Sequence, residues 1–348
     1  MVLDAPPLEN SPTRILIIDT AWIGDVIFTT SLIGAVRRLW PASALHVITA
    51  PRGEPILRDH PQVDHLWVFD KRGQQQSLFG MRKWTEPLRE IGFDLILNAH
   101  PSFRSRLLTR LIGAPERIGY KGFGASLCLT HAIPNNLAVE PDHVLRRIAL
   151  LRALDIEVQP EPLRIALSQD ELTYAERILN QHTIGDKPLL GLIPGSAWAT
   201  KKWSDENYAD LLKKWVAERN GGVIVVGGFA EATTIESLHK LSRERVIPLL
   251  NEPLPRVAAF LSKCKAVVGN DTGISFMAIA AGVQRVFVLY GCTQVNYSFT
   301  TPHRAITAGV PCCLPRTGHG AHRCKWAEQP WCMEQITVDR VWNALNEG

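Results

Sequence analysis

The chain has 348 residues, 46% hydrophobic, 21% charged and 7% aromatic, with a net charge of +4 from 38 basic and 34 acidic side chains. That balance excludes disordered, collagenous and coiled-coil chains, and the charge is too weak to mark a nucleic-acid binder. No apolar run approaches the roughly 18 residues of a membrane span. The start, MVLDAPPLENSPTR, has neither the basic nor the apolar region of a secretory signal, so a cytoplasmic location is expected.

Short apolar runs alternate with helical patterns along the chain. Arg14–Asp19, Leu45–Thr49, Leu66–Phe69 and Asp94–Asn98 lack polar alternation, as strands covered on both faces do. Between the first two, Val26, Thr29, Ile33, Val36 and Trp40 recur at helical spacing, which makes a βαβ unit. The Pro-bearing stretch 158–163 reads as a linker, and Ser168 with Glu171 forms a capping box that opens the next helix. Leu189–Ile193, Gly222–Val226, Val246–Leu250, Ala266–Gly269 and Arg285–Tyr290 then repeat the buried-strand pattern. The fold class is α/β: two doubly wound, parallel-sheet domains over 1–165 and 166–335 facing a central cleft, with 336–348 a helix that returns to the first domain. Ligands of such sheets bind beyond the carboxyl ends of the strands, so the residues just after each strand are the informative ones.

After the first strand come Gly24 and Asp25. The aspartate is either a helix cap or a carboxylate that accepts a proton from a hydroxyl, and a helix N-terminus would keep it ionised. After Leu189–Ile193 the loop Pro194-Gly195-Ser196 leads to Lys201 and Lys202. It is either a solvated loop or a backbone cradle for phosphate with a lysine charge; it is not a Walker A motif. Asn270-Asp271-Thr272-Gly273 follows a buried strand and precedes an apolar helix, as in anion sites at helix N-termini, or else simply caps that helix. Segment 100–125 holds Arg104, Arg106, Arg110, Arg117 and Lys121 against Glu116 alone, which is either a solvated helix face or a patch for an anionic acceptor. Cys312, Cys313, Cys324 and Cys332 crowd into 21 residues. They are either reduced thiols in a loop or structural metal ligands with His319 or His322 in support, although zinc sites usually show a closer Cys-x-x-Cys pair.

In this order, after these strands, the motifs Gly24-Asp25, Pro194-Gly-Ser with Lys201-Lys-Trp203, and Asn270-Asp-Thr-Gly273 resemble glycosyltransferase family 9, the lipopolysaccharide heptosyltransferases. The resemblance runs from about residue 14 to 345, and the Pro-Gly loop and Cys-rich tail are most similar to the heptosyltransferase II members. It implies a GT-B fold of two Rossmann-like domains and an inverting transfer from ADP-L-glycero-D-manno-heptose to the lipopolysaccharide inner core. It also implies an anionic lipid-linked acceptor, peripheral contact with the cytoplasmic face of the inner membrane, and catalysis without a metal cofactor. Asp25 takes the family's base and Lys201 its phosphate contact. Gly195, Ser196, Asp271, Thr272 and Gly273 are expected to bind the donor, and Gly24, Arg104, Arg106 and Lys121 to face the acceptor. Two positions depart from the family: Phe276 stands where a histidine is usual, and Cys292 where proline commonly follows Tyr290-Gly291. A heptosyltransferase that modifies protein and a non-catalytic sugar-nucleotide-binding module are the alternatives.

Overall fold

The computed structural model describes residues 11–137, 139–182, 184–310, 321–325 and 330–347. The chain forms two compact units that divide between Ala166 and Leu167. In the first, β1 (Arg14–Asp19), β2 (Ala44–Thr49), β3 (His65–Val68), β4 (Leu95–Asn98), β5 (Glu116–Tyr120) and β6 (His131–Ile133) form a parallel sheet in the order β3-β2-β1-β4-β5-β6. In the second, β7 (Leu189–Ile193), β8 (Gly222–Gly227), β9 (Val246–Leu250), β10 (Ala266–Asn270), β11 (Val286–Tyr290) and β12 (Arg304–Thr307) are parallel in the order β12-β11-β10-β7-β8-β9. Counted from its own first strand, each sheet has the same winding, with first and fourth strands adjacent. The winding reverses between them, at β1/β4 and at β7/β10, and the two helices that leave such a point diverge and open a crevice.

The apolar runs form central strands because each is covered on both faces. Ile15 to Ile18 of β1 and all five residues of β7 are buried. The Ile23–Leu39 helix is buried without a break from Val26 to Val36, so it is covered on more than one side. Part of that cover is the expected linker. Arg164 donates its backbone N–H to Thr30 Oγ1 at 3.1 Å, and a Cβ on Gly34 would lie 2.8 Å from Glu161 Cβ. Glycine is required there for the close approach, not for turning the chain.

Strands β5, β6 and β12 have no counterpart in the sequence reading. β5 opens on Glu116-Arg117, and β6 and β12 have three and four residues with partial burial, too short for a periodic signal. The last helix, Val338–Asn346, is a correction to the expected return to the first domain. It packs inside the second unit: Val341, Trp342 and Leu345 join a core that includes Trp215, whose ring meets Trp342 edge-on at 6.4 Å. Arg285 donates to the carbonyls of Ala344 and Leu345 at 2.9 and 2.8 Å, satisfying acceptors that a helix end leaves open. The apolar face and the C-terminus of this helix are thereby satisfied within its own domain.

Candidate active site

Asp25 sits in the first turn of the Ile23–Leu39 helix, just past the carboxyl end of β1. It does not cap that helix, since Trp22 holds the cap position and no side chain bonds there. The partner that fixes Asp25 comes from the His143–Arg152 helix. Arg147 donates from Nη2 to Asp25 Oδ1 at 3.0 Å and to Asp19 Oδ2 at 3.2 Å, and from Nε to Thr29 Oγ1 at 2.7 Å. Thr29 in turn donates to Asp19 Oδ2 at 2.5 Å. His143, one helical turn before Arg147, places Nδ1 3.5 Å from Asp25 Oδ1. Asp19 and Arg147 are almost fully buried, whereas the Asp25 side chain keeps 28% of its surface open to solvent. Burial alone would raise the Asp25 pKa. The His143 imidazole beside it and the charge of Arg147 outweigh it and hold the carboxyl well below the usual carboxylate range.

At the carboxyl ends of β1, β2 and β3 lies a cavity of about 340 Å³ whose wall includes Trp22, three residues before Asp25, with Thr20, Arg52, Asp70, Lys71 and Arg72. The Arg52 guanidinium lies 4.1 Å from the centre of the Trp22 ring, a cation–π arrangement. Lys71 donates to the Thr20 carbonyl at 3.0 Å, and burial with the nearby charge of Arg52 holds its pKa below the usual lysine value. Three cations against the one carboxylate of Asp70 leave this small concavity net positive, which suits an anionic ligand.

In the second domain, Asn270 at the end of β10 ties the other expected loops together. Its Nδ2 donates to the Pro194 carbonyl at 2.7 Å, and its Oδ1 accepts from the Trp203 N–H at 3.0 Å. Ser275 Oγ donates back to the Asn270 carbonyl at 2.7 Å, and a Cβ on Gly269 would lie 2.5 Å from that oxygen. The Gly273–Ala280 helix therefore begins directly above the sheet. Lys201 and Asp271 form a buried pair, Nζ to Oδ2 at 2.6 Å, and Thr293 donates to the same carboxylate oxygen at 2.8 Å. An ammonium carries three donors, of which this contact takes one.

Thr272 caps that helix with its backbone only. Its hydroxyl is buried and has no hydrogen-bond partner, which leaves a buried polar atom in need of one. Thr272 also lines a cavity of about 430 Å³ with Gly195, Ser196, Glu231, Asn251, Leu254 and Val257. The volume and the mix of apolar wall with a few polar groups suit a nucleoside, and the helix N-terminus beside the unpartnered hydroxyl suits its phosphate. Replacing Thr272 by Val is therefore expected to leave the unfolding midpoint nearly unchanged. It should weaken binding of a nucleoside diphosphate, titrated calorimetrically, by roughly ten-fold or more, the worth of one hydrogen bond to a charged group. An unchanged affinity would remove this hydroxyl from the phosphate site.

The described contacts give the expected residues different surroundings. Gly195, Ser196 and Thr272 share one cavity, and Lys201 and Asp271 pair at the ends of the same strands. Gly24 adjoins Asp25 in the helix's first turn. Arg104 donates to the Gln76 carbonyl at 2.8 Å, and buried Arg106 to those of Pro101 and Phe123 at 3.0 and 3.2 Å, so both guanidinium groups hold loops together. Lys121 is exposed. Phe276, at the departing position, is core: its ring packs 5.8 Å from Tyr297 and 6.3 Å from Phe299. Cys292 is likewise buried, with Sγ 3.3 Å from Thr200 Oγ1. Cys312 and Cys313 lie outside the described residues, and Cys332 is part of the second-domain core. Among the described residues, no group of three or more His, Cys, Asp or Glu side chains is placed to hold a metal ion.

The residues missed by sequence reasoning are Asp19, His143, Arg147, Arg52, Lys71 and the polar groups around the larger cavity. His143 and Arg147 did carry a signal, since four-residue spacing puts them on one helix face. Nothing local says what that face meets.

The model of glycosyltransferase family 9 (heptosyltransferase) matches residues 81–312, two thirds of the chain. The chain belongs to this family. Lipopolysaccharide heptosyltransferase 2 of Escherichia coli K12 is 27% identical over 308 residues, which cover 84% of this chain and 86% of that one. Two solved structures are similar across nearly their whole length. The glycosyltransferase family 9 protein of Veillonella parvula has a TM-score of 0.81 at 20% identity, with 96% of each chain covered. The E. coli ADP-heptose LPS heptosyltransferase II has 0.76 at 24% identity, covering 96% of this chain and 97% of that one. The fold is accordingly GT-B, and this family 9 member is a glycosyltransferase.

Proposed function

We propose that this enzyme moves heptose from ADP-L-glycero-D-manno-heptose to the inner core of lipopolysaccharide, with inversion at the anomeric carbon, at the cytoplasmic face of the inner membrane. The observation that carries the reading is Asp25, a carboxylate held ionised by Arg147 yet open to solvent beside a basic cavity. In one displacement, the acceptor oxygen bonds to the anomeric carbon while the bond from that carbon to the diphosphate oxygen breaks. That electron pair leaves with ADP, and Asp25 takes the hydroxyl proton. A carboxylate of depressed pKa is a weak base, so the proton moves late, once bond formation has made the hydroxyl acidic.

Lys201, the Thr272 hydroxyl and the amides that open the Gly273–Ala280 helix meet the charge that grows on the leaving diphosphate, so the reaction as proposed calls on no metal. The adenosine takes the larger cavity, with Glu231 and Asn251 available to its ribose hydroxyls and Leu254 and Val257 to its base. Arg52, Lys71 and Arg72, with Lys121, meet the anionic groups of a lipid-linked acceptor. The carboxylates and phosphates of such an acceptor supply the charge that three clustered cations require.

Incubation with ADP-heptose and a truncated core acceptor tests the reading. Acceptor-dependent ADP release, with a heptosylated product of inverted anomeric configuration, is expected. ADP-heptose binding without transfer would instead support the binding module, and heptose found on protein rather than lipid would support the protein-modifying enzyme.

A further inference from the structure

Five of the large apolar side chains left exposed in the first domain lie together. Phe79, Phe123 and Leu127 expose 79%, 81% and 77% of their surface, and Leu78 and Phe103 are exposed beside them. Phe103 and Phe123 are in ring contact at 5.2 Å. Gly124 makes that contact fit: it adopts a φ of +75°, and a Cβ there would lie 2.9 Å from the Phe103 ring. Arg104 joins the start of the Phe103–Ile112 helix to the residues entering the Leu78–Ile91 helix, through its bonds to the carbonyls of Gln76 and Lys71 at 2.8 and 3.3 Å. Arg106 holds the Phe123 carbonyl. The apolar tips thus rise from three connections that follow β3, β4 and β5, at the same edge of the sheet as the basic cavity.

Cations outnumber acids at this edge. Lys71 and Arg72 follow β3, Arg82 and Lys83 lie on the helix that this connection enters, and Lys121 follows β5, against the one carboxylate of Asp70 beside them. Apolar side chains that project from a field of cations match a surface that is anionic outside and hydrocarbon beneath. A solvated protein face would need the cations but not the phenylalanines, and a second copy of the same surface would set cations against cations.

We infer that Phe79, Phe123 and Leu127 enter an anionic lipid bilayer, with the surrounding lysines and arginines on its headgroups. The surface rests on the lipid-linked acceptor proposed above and assigns the part of the molecule that meets the lipid. The basic cavity opens from the same edge, since Lys71 lines it and accepts from Arg104 through its carbonyl. An acceptor anchored in that bilayer would therefore present its sugars beside Asp25 without leaving the lipid.

Cosedimentation of the full chain with phosphatidylcholine vesicles, with and without phosphatidylglycerol, tests this. Binding is expected only with phosphatidylglycerol, weakening as salt rises. The triple variant Phe79→Ser, Phe123→Ser, Leu127→Ser changes only exposed side chains. It should keep the wild-type unfolding midpoint and lose about ten-fold or more in vesicle partitioning. Its turnover on a lipid-free truncated acceptor should stay within about two-fold of wild type, since surface substitutions away from the site cost little. Equal partitioning of variant and wild type, or no wild-type binding to anionic vesicles, would overturn the assignment. So would wild-type self-association abolished in the variant with vesicle binding intact, which would mark a protein–protein face. Vesicle binding lost in the variant, with neither protein transferring heptose, would leave this surface standing and defeat the proposed reaction instead.

Discussion

Replacing Asp25 by Asn is expected to lower kcat/KM for glycosyl transfer by roughly 10²- to 10⁴-fold, the usual worth of a positioned general base. The amide retains the shape of the side chain and an oxygen for Arg147, while Asp19 keeps its own contact with that guanidinium. The fold should therefore survive. The cavity proposed above for the nucleotide is lined by second-domain residues, so ADP affinity should stay within about three-fold of wild type. Near-normal turnover would remove Asp25 from the chemistry. A parallel loss of ADP binding would mean that the substitution disturbs more than the base.

The pH dependence follows from the same contacts. The folded-state pKa of Asp25 lies below the unfolded value of about 3.9. Its ionised form thus contributes stability at every pH above that value, and the contribution is lost as the pH falls through the folded-state pKa. Over the neutral and mildly acidic range the base is already deprotonated, so Asp25 gives the wild-type rate profile no acid limb there.

Replacing Arg147 by Met should cost on the order of 3–5 kcal/mol of stability, because it strips the shared cation from two carboxylates, one of them almost fully buried. Asp25 would then lose the cation that keeps it ionised while the Asp19 carboxylate stays nearby, so its pKa should rise. Two readouts are expected together: a lower denaturation midpoint and a new acid limb in kcat/KM at mildly acidic pH. A merely structural arginine would move the first and not the second. Arg147→Lys keeps the charge while losing the forked geometry that reaches Asp19, Asp25 and Thr29 at once, so it should recover part of the stability and most of the flat profile. A loss below about 1 kcal/mol in the Met variant, within the range of ordinary surface changes, would show that the network matters little.

The comparison between sequence and structure divides along the range of each physical cause. Burial on both faces writes itself into neighbouring residues, so RILIID, LLGLI and AVVG were legible as central strands. The helix cap at Ser168 was legible for the same reason, since the capping oxygen and the amide it accepts from are three residues apart. The loops after β1, β7 and β10 stood out because small and polar residues interrupt apolar runs at strand ends. The short strands β5, β6 and β12 escaped because three to five partly buried residues carry no period. The fate of the last helix escaped as well: its pattern announces one apolar stripe, and only packing says that Trp215 receives it.

The site divides in the same way. Asp25 could be suspected from its place behind a strand, but an aspartate at a helix start has two common fates, and the sequence holds both open. What decides its state is Arg147, 122 residues further on, brought against it because the His143–Arg152 helix packs along the Ile23–Leu39 helix. The arginines of segment 100–125 show the converse. Their clustering is plain in the sequence, yet Arg104 and Arg106 spend their donors on loop carbonyls, while Arg52, Lys71 and Arg72 gather beyond the ends of β2 and β3. Residue type and local period follow from short-range sterics and burial, which the chain records in order. Which charge meets which, and whether a cation serves a loop or a ligand, depends on distances that exist only once distant segments have folded against each other.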